Sequence, residues 1–160
     1  MKTNKINKVL IAIDYDESVQ KVAVAGYEFA KAMGAEVVLV HVISSASYYS
    51  SLNYSPVFGF LSFNANDLSL LHEAEGLKSA TNKYLNKLKL HLSDESIQTM
   101  VVEGEFGESI LSTAIDIQAD LIVMGSHSRN WVDEVLLGSV TKNVLHETLV
   151  PLLIIPIKNK

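Results

Sequence analysis

The sequence predicts an α/β fold, an open five-stranded parallel sheet with helices on both faces. Short runs rich in Val, Ile and Leu recur along the chain, apolar at most positions on both faces. Between them lie longer stretches whose apolar residues fall at helical spacing. The two patterns alternate as β-α-β-α-β-α-β-α-β, with no internal repeat of useful period. Strands covered by helices on both sides must be apolar on both faces, whereas a sheet with one wet face alternates. The 160 residues, 48% hydrophobic and 19% charged, read as one domain over 1–160 with a substantial core.

Residues 9–14 form the first expected strand, β-branched and apolar until Asp14. Asp16-Glu-Ser gives an acidic helix start, and Val19, Val22, Ala23, Gly26, Phe29 and Ala30 mark one helical face over 18–32. Gly34 is the expected stop, because glycine accepts the left-handed conformation that ends helices. Residues 36–43 are the second strand and close a βαβ unit, whose crossover should be right-handed. From 44 to 67 the rhythm breaks into Ser, Tyr, Asn and Phe with Pro56 and Gly59. A loop this long is expected to be mobile, either an insertion partly covering the core or a functional lid.

Over 68–92 the helical pattern returns, with Leu70, Leu71, Ala74, Leu77, Ala80, Tyr84, Leu85, Leu88 and Leu92 on one face. Lys78, Lys83, Lys87 and Lys89 fall largely outside it and read as a solvated face. Residues 96–102 make strand three, 103–107 a turn, and 108–118 a helix with Ile110, Leu111, Ala114 and Ile115 inward. Strand four covers 120–124, a last helix 139–147, and strand five 150–157. Pro151 and Pro156 suit an edge strand. An exposed apolar edge is an interface or an association hazard, and a homodimer through this last strand is the expectation.

Several function classes are excluded or disfavoured. The net charge of −5 argues against a general nucleic-acid binder. With no cysteine there are no disulfides, thiol nucleophiles or Cys-based metal sites. The apolar run at 9–13 is too short for a signal-peptide core, and nothing approaches the roughly 20 apolar residues that span a bilayer. A soluble, cytoplasmic protein without membrane attachment is expected.

The stretch from Met124 to Thr141 draws the chemistry together. An apolar run breaks at Gly125 into a small polar turn, and Gly138-Ser139 opens the last helix. Glycines followed by free backbone N–H groups make an anion nest and a helix N-terminus suited to phosphate. Each part has an ordinary role as well. Asp14 can bind a ribose hydroxyl or base amine, or cap the next helix. Gly125 permits close backbone approach, or simply ends a strand. Gly138-Ser139 can hold phosphate, or serve as a normal N-cap. His41, on a buried strand, reads as a satisfied core histidine and not a ligand. His72, His91 and His146 are scattered, so no metal site is indicated.

Four places together resemble the universal stress protein family: Val9-Leu-Ile-Ala-Ile-Asp14, Leu39-Val-His-Val42, Ala119-Asp-Leu-Ile-Val-Met-Gly-Ser-His127, and Leu136-Leu-Gly-Ser-Val-Thr141 followed by Val150-Pro-Leu-Leu-Ile-Ile155. The resemblance covers nearly the whole chain and implies a Rossmann-like fold of the adenine nucleotide alpha hydrolase type, usually dimeric through the last strand. One branch of that family binds ATP through Gly-x2-Gly-x9-Gly-Ser/Thr, and the other binds no nucleotide. Carried over, the resemblance gives Asp14 to ribose or adenine and the Val42 backbone to adenine. Met124, Gly125, His127, Ser128 and Arg129 would line ribose and phosphates, and Gly138, Ser139 and Val140 the distal phosphates.

The spacing is kept, but the middle glycine is Ser128. If that position needs a left-handed backbone, Ser costs on the order of 1 kcal/mol or more. Asp133 and Glu134 add negative charge to the span, with Arg129 as local compensation, and Tyr15-Asp16 departs from the family's usual loop after strand one. His127 has no Ser, Asp or Glu placed to make it part of a triad. The resemblance therefore implies a dimeric stress-response module binding ATP or AMP as a regulatory ligand, with Mg or Mn only as a companion of ATP. At most slow, incidental hydrolysis is expected, since no Gly-Lys-Ser/Thr phosphate loop is present. The alternative is an interaction module of the same fold that binds an unknown protein partner and no nucleotide.

Overall fold

The structure, a computed structural model, describes residues 4–14, 19–44, 74–126 and 137–157. It contains the expected α/β sheet. In chain order the elements are β1 (Lys8–Ala12), α1 (Val19–Ala32), β2 (Glu36–Ile43), α2 (Ala74–His91), β3 (Gln98–Glu103), α3 (Phe106–Asp116), β4 (Leu121–Gly125), α4 (Ser139–Glu147) and β5 (Leu152–Ile155). The five strands are all parallel in the order β3-β2-β1-β4-β5.

Strand alternation builds two cores, one on each face. Val9, Ile11, Leu39 and Val123 face α1 and α2, where they meet Val22, Ala23, Tyr84 and Leu85. Leu10, Val40, Ile122 and Met124 face α3 and α4 and meet Ile110, Ala114 and Val144. The central strands are buried along most of their length, which explains why their sequences are largely apolar instead of alternating, His41 being the buried exception. The segregation of helices follows from handedness. The chain steps outward one way from β1 to β2 to β3, then the other way from β4 to β5, and right-handed crossovers put the two sets of helices on opposite faces.

Helix ends follow local chemistry. Gly34 is left-handed at φ 66, and a Schellman pair closes α1, with the Gly34 N–H on Lys31 O at 3.0 Å and the Ala35 N–H on Ala30 O at 2.9 Å. The same pair of bonds ends α3 at Gln118, a non-glycine at φ 55. Helix α3 starts at Phe106, inside the stretch expected to be a turn. Its N-cap is Glu105, whose carboxylate accepts the Glu108 N–H at 2.9 Å. The expected start of α2 before residue 74, the acidic turn at 16–18 and the loop at 44–67, apart from Ser44, lie outside the described residues.

Two faces are narrower than expected. Phe29 and Ile115 sit at helical spacing but are 40% and 62% exposed, at the margins of their apolar stripes. The fifth strand is shorter than 150–157, because Pro151 and Pro156 flank it instead of lying within it. Proline has no N–H to give the ladder, yet the Pro151 carbonyl still accepts from Ile122 N at 2.9 Å. Among the described residues β5 pairs with β4 alone and is an edge strand, and Leu149 beside it is 93% exposed. No helix among the described residues is long and apolar enough to cross a membrane.

Candidate functional site

Strands β1 and β4 are neighbours from which the chain departs in opposite senses, α1 to one face and α4 to the other. Their carboxyl ends therefore part and leave a crevice, the usual ligand position in open parallel sheets. A cleft lies there. Its floor is Ile13 and Asp14 beyond β1, Val40 to Val42 of β2, and Met124 and Gly125 of β4. Phe106 and Ile110 of α3, Val19 and Val22 of α1, Val140 of α4 and Ile157 wall it. The enclosed part measures about 90 Å³, against roughly 300–1,000 Å³ for clefts that take up a whole small molecule. It has room for one ring of a ligand, with the remainder along the rim.

The polar groups at the β1 side come from backbone geometry. The last β1–β2 pair is Ala12 with Val40. One more bond follows, from the Ile13 N–H to the Val40 carbonyl at 2.9 Å. The Ile13 carbonyl receives the Nδ1–H of His41 at 2.7 Å. Because backbone groups alternate sides along a strand, Val42 directs its N–H and C=O the same way as Val40, into the space past the end of β1. The Val42 side chain is buried in the core, so only its main chain faces a ligand. Asp14 is exposed at the rim. Burial pushes the His41 imidazole below its usual range, with the nearby Asp14 charge and the Ile13 carbonyl opposing. The ring is thus neutral at physiological pH, with Nδ1 protonated.

The β4 side is pinned by Ser126, which the sequence reading passed over. Its N–H donates to Ile155 O at 2.9 Å, its carbonyl accepts the Gly138 N–H at 2.8 Å, and its Oγ accepts the Ile157 N–H at 3.0 Å. Thr141 Oγ1 adds a bond to the Gly125 carbonyl at 3.0 Å. These four bonds fix the end of β4 to the start of α4, to β5 and to the chain just beyond it. At Gly138, the N-cap, the backbone is extended, φ −60 and ψ 159, and this residue has no side chain with which to cap the helix. The first N–H groups of α4 have no helical acceptor, Gly138 gives them no side-chain one, and the helix dipole favours an anion there.

Gly125 is explained by packing. Its φ is not positive. A Cβ there would lie 2.5 Å from Ile157 Cδ1 and 3.1 Å from Val22 Cγ2, both cleft-wall residues. Glycine lets those walls close on the strand end.

Of the site residues read from the sequence, Asp14, Val42, Met124, Gly125 and Val140 come together in one cleft, with Gly138 and Ser139 at the adjoining end of α4. His127, Ser128 and Arg129 lie outside the described residues. The wall residues Phe106, Ile110 and Ile157 and the pinning Ser126 were not anticipated. The helical spacing of Phe106 and Ile110 shows one face of α3, but only the sheet order says what that face meets.

The sequence profile of the universal stress protein family matches residues 5–156. The chain is 30% identical over 156 residues to universal stress protein MJ0577 of Methanocaldococcus jannaschii, covering 95% of this chain and 96% of that one. It is also 30% identical to universal stress protein YxiE of Bacillus subtilis, over 93% and 98% of the two chains. The solved structure of MJ0577 superposes with a TM-score of 0.67 over 98% of this chain and 99% of that one. Two more distant structures share the fold. One is the universal stress protein of Archaeoglobus fulgidus in complex with dAMP, with a TM-score of 0.58 at 16% identity, over 96% and 99% of the chains. The other is a universal stress protein in complex with cAMP, with a TM-score of 0.59 at 19% identity, over 95% and 98%. By its profile match, its sequence relatives and its strand order, the chain belongs to the universal stress protein family.

Proposed function

We propose that this protein binds an adenine nucleotide, ATP or AMP, as a regulatory ligand in the cleft at the carboxyl ends of β1 and β4. The observation that carries this reading is the convergence of three kinds of group on one crevice. Asp14 offers a carboxylate to ribose, the Val42 main chain offers a donor beside an acceptor to a base edge, and the start of α4 at Gly138 offers N–H groups to phosphate. The dAMP and cAMP complexes of the two structural relatives support the ligand class. The protein acts as a cytoplasmic stress-response module without efficient catalysis. A metal ion enters only with ATP.

Two copies pair along the free edge of β5, which the exposed Leu149 beside it supports. Sedimentation velocity reads this directly, and a monomer at all concentrations removes the dimer. Ser128, Asp133 and Glu134 favour a second reading, an interaction module without nucleotide. Calorimetric titration with ATP and AMP decides between them. Submillimolar binding that Gly138→Asp weakens supports the first. No heat with either nucleotide, from a folded protein, supports the second.

A further inference from the structure

We propose that His41 is a positioning residue for the cleft, whose imidazole takes the Ile13 carbonyl, stops the β1–β2 ladder early and keeps the Val42 main chain open to a ligand. The occupant, a planar base with a donor beside an acceptor, rests on the nucleotide reading above. The ladder geometry does not.

In a parallel ladder each residue facing the neighbour receives one bond and gives the next. With the Ile13 N–H on the Val40 carbonyl, the next rung would run from the Val42 N–H to the Ile13 carbonyl. Instead that carbonyl holds His41 Nδ1 at 2.7 Å, and the paired residues end at Ala12 and Val40. A buried carbonyl needs a donor. An aliphatic residue at position 41 would fill the same space and supply none, leaving the Val42 N–H as the nearest replacement.

His41 thus substitutes a side-chain donor for a main-chain one. The substitution has two consequences at the rim. The Val42 N–H and C=O stay directed into the cleft, and Ile13, held through both its N–H and its C=O by β2, sets Asp14 at a fixed place beside them. Lowered basicity through burial keeps the ring neutral, so Nδ1 is the donor and Nε2 an acceptor. The residue looks like core in the sequence because it is core. Its role is exerted through the carbonyl it occupies.

The test uses nuclear magnetic resonance and AMP titration on the whole chain. In the wild type, His41 should show the Nδ1-protonated tautomer, and no scalar coupling should cross from Val42 N to Ile13 C′. In His41→Leu that coupling should appear, with AMP affinity reduced about tenfold or more, the scale of one lost hydrogen bond. His41→Asn, which returns a donor near the Nδ1 position, should bind AMP within about threefold of wild type. An Nε2-protonated ring, a Val42–Ile13 coupling in the wild type, or unchanged affinity in His41→Leu would each overturn the proposal. If His41→Leu does not fold, the wild-type tautomer and coupling decide it. If AMP and ATP bind no variant and not the wild type, the nucleotide reading falls, while the same two spectra still decide the role of His41.

Discussion

The two ends of this sheet are built on opposite plans. At the amino end, protein groups satisfy one another. The Asp120 carboxylate accepts the Asn7 and Lys8 N–H groups at 2.8 and 3.1 Å, and the Asp120 N–H returns a bond to Lys8 O at 2.9 Å. Asp94 ties the turn after α2 to α1, accepting from Tyr27 Oη at 2.8 Å and Lys31 Nζ at 3.2 Å as well as from Ser96. At the carboxyl end the bonds are spent on holding a shape open. His41 occupies the carbonyl that would extend the ladder, Ser126 ties the end of β4 to β5 and to Gly138, and Gly138 starts α4 with no side chain of its own to cap it. One end is a clasp and the other, on the proposed function, a receptor. Changes at the first should cost stability and spare ligand binding, and changes to the polar groups of the second should weaken binding with little cost in stability.

The largest expected effect is at the receptor end. Gly138→Asp puts a carboxylate where the α4 N-terminus would face phosphate. ATP affinity should fall about a hundredfold, or about 2.7 kcal/mol, while the melting temperature stays near wild type. Isothermal titration and a thermal melt on the same sample read both, and a large loss of stability with affinity retained would reverse the assignment of this end.

Next comes Asp120→Ala at the clasp. It leaves two backbone N–H groups without their carboxylate, and hydrogen bonds to charged groups contribute about 1.5–3 kcal/mol. Urea unfolding should show a loss of about 2 kcal/mol with AMP affinity unchanged. A shift below a few tenths of a kcal/mol would mean that the amino end is not held as described.

Gly125→Ala sharpens the comparison because it touches a wall of the cleft through packing alone. Overpacking costs about 1–3 kcal/mol. The nearest atom is the far end of the Ile157 side chain, which can shift, so about 1 kcal/mol is expected. Nucleotide affinity should drop with it, since Ile157 lines the cleft.

The acid limb of stability should report on Asp94. A hydrogen bond from Ser96 Oγ, then those from Tyr27 Oη, the Ser96 N–H and Lys31, hold its carboxyl well below the usual carboxylate range. A carboxyl depressed in the folded state contributes stability that is fully present above its unfolded value near 3.9 and drains away as pH falls below it. Unfolding free energies from pH 6 down to pH 2 should therefore fall less steeply in Asp94→Asn than in wild type. Parallel slopes would show that the cluster gives no preference for the charged form.

The smallest effect is expected at Gln118, left-handed at φ 55. Glycine there relieves about 1 kcal/mol of backbone strain and gives back part of it in chain entropy, for a net gain of about 0.5 kcal/mol.

The strands and helices were legible because each buries a face whose period is written in the apolar residues. The whole of 36–43 and of 139–147 could be read this way. Ends were harder, because they depend on single side-chain bonds. Glu105 turns an apparent loop into the first turn of α3, and Pro151 and Pro156 mark the outside of β5. In the site, Asp14, Val42, Gly125 and Gly138 could be picked out by family spacing. The role of Gly125 could not, since it depends on Ile157, more than thirty residues away along the chain. His41 and Ser126 were opaque for the same reason. What they do is set by strand register, by which carbonyl or N–H lies opposite, and register appears only when the sheet is assembled.

Where an adenine nucleotide touches the chain decides the roles of the two sheet ends. Titration of the isotope-labelled protein with AMP and with ATP, followed by amide resonances, locates the contact residue by residue. The amides of Asp14, Val42, Gly125, Ser139 and Val140 should shift together and saturate below millimolar nucleotide, with those of Lys8, Asp94 and Asp120 unmoved. Shifts confined to the amino end, or no saturable shift with either nucleotide, would contradict it.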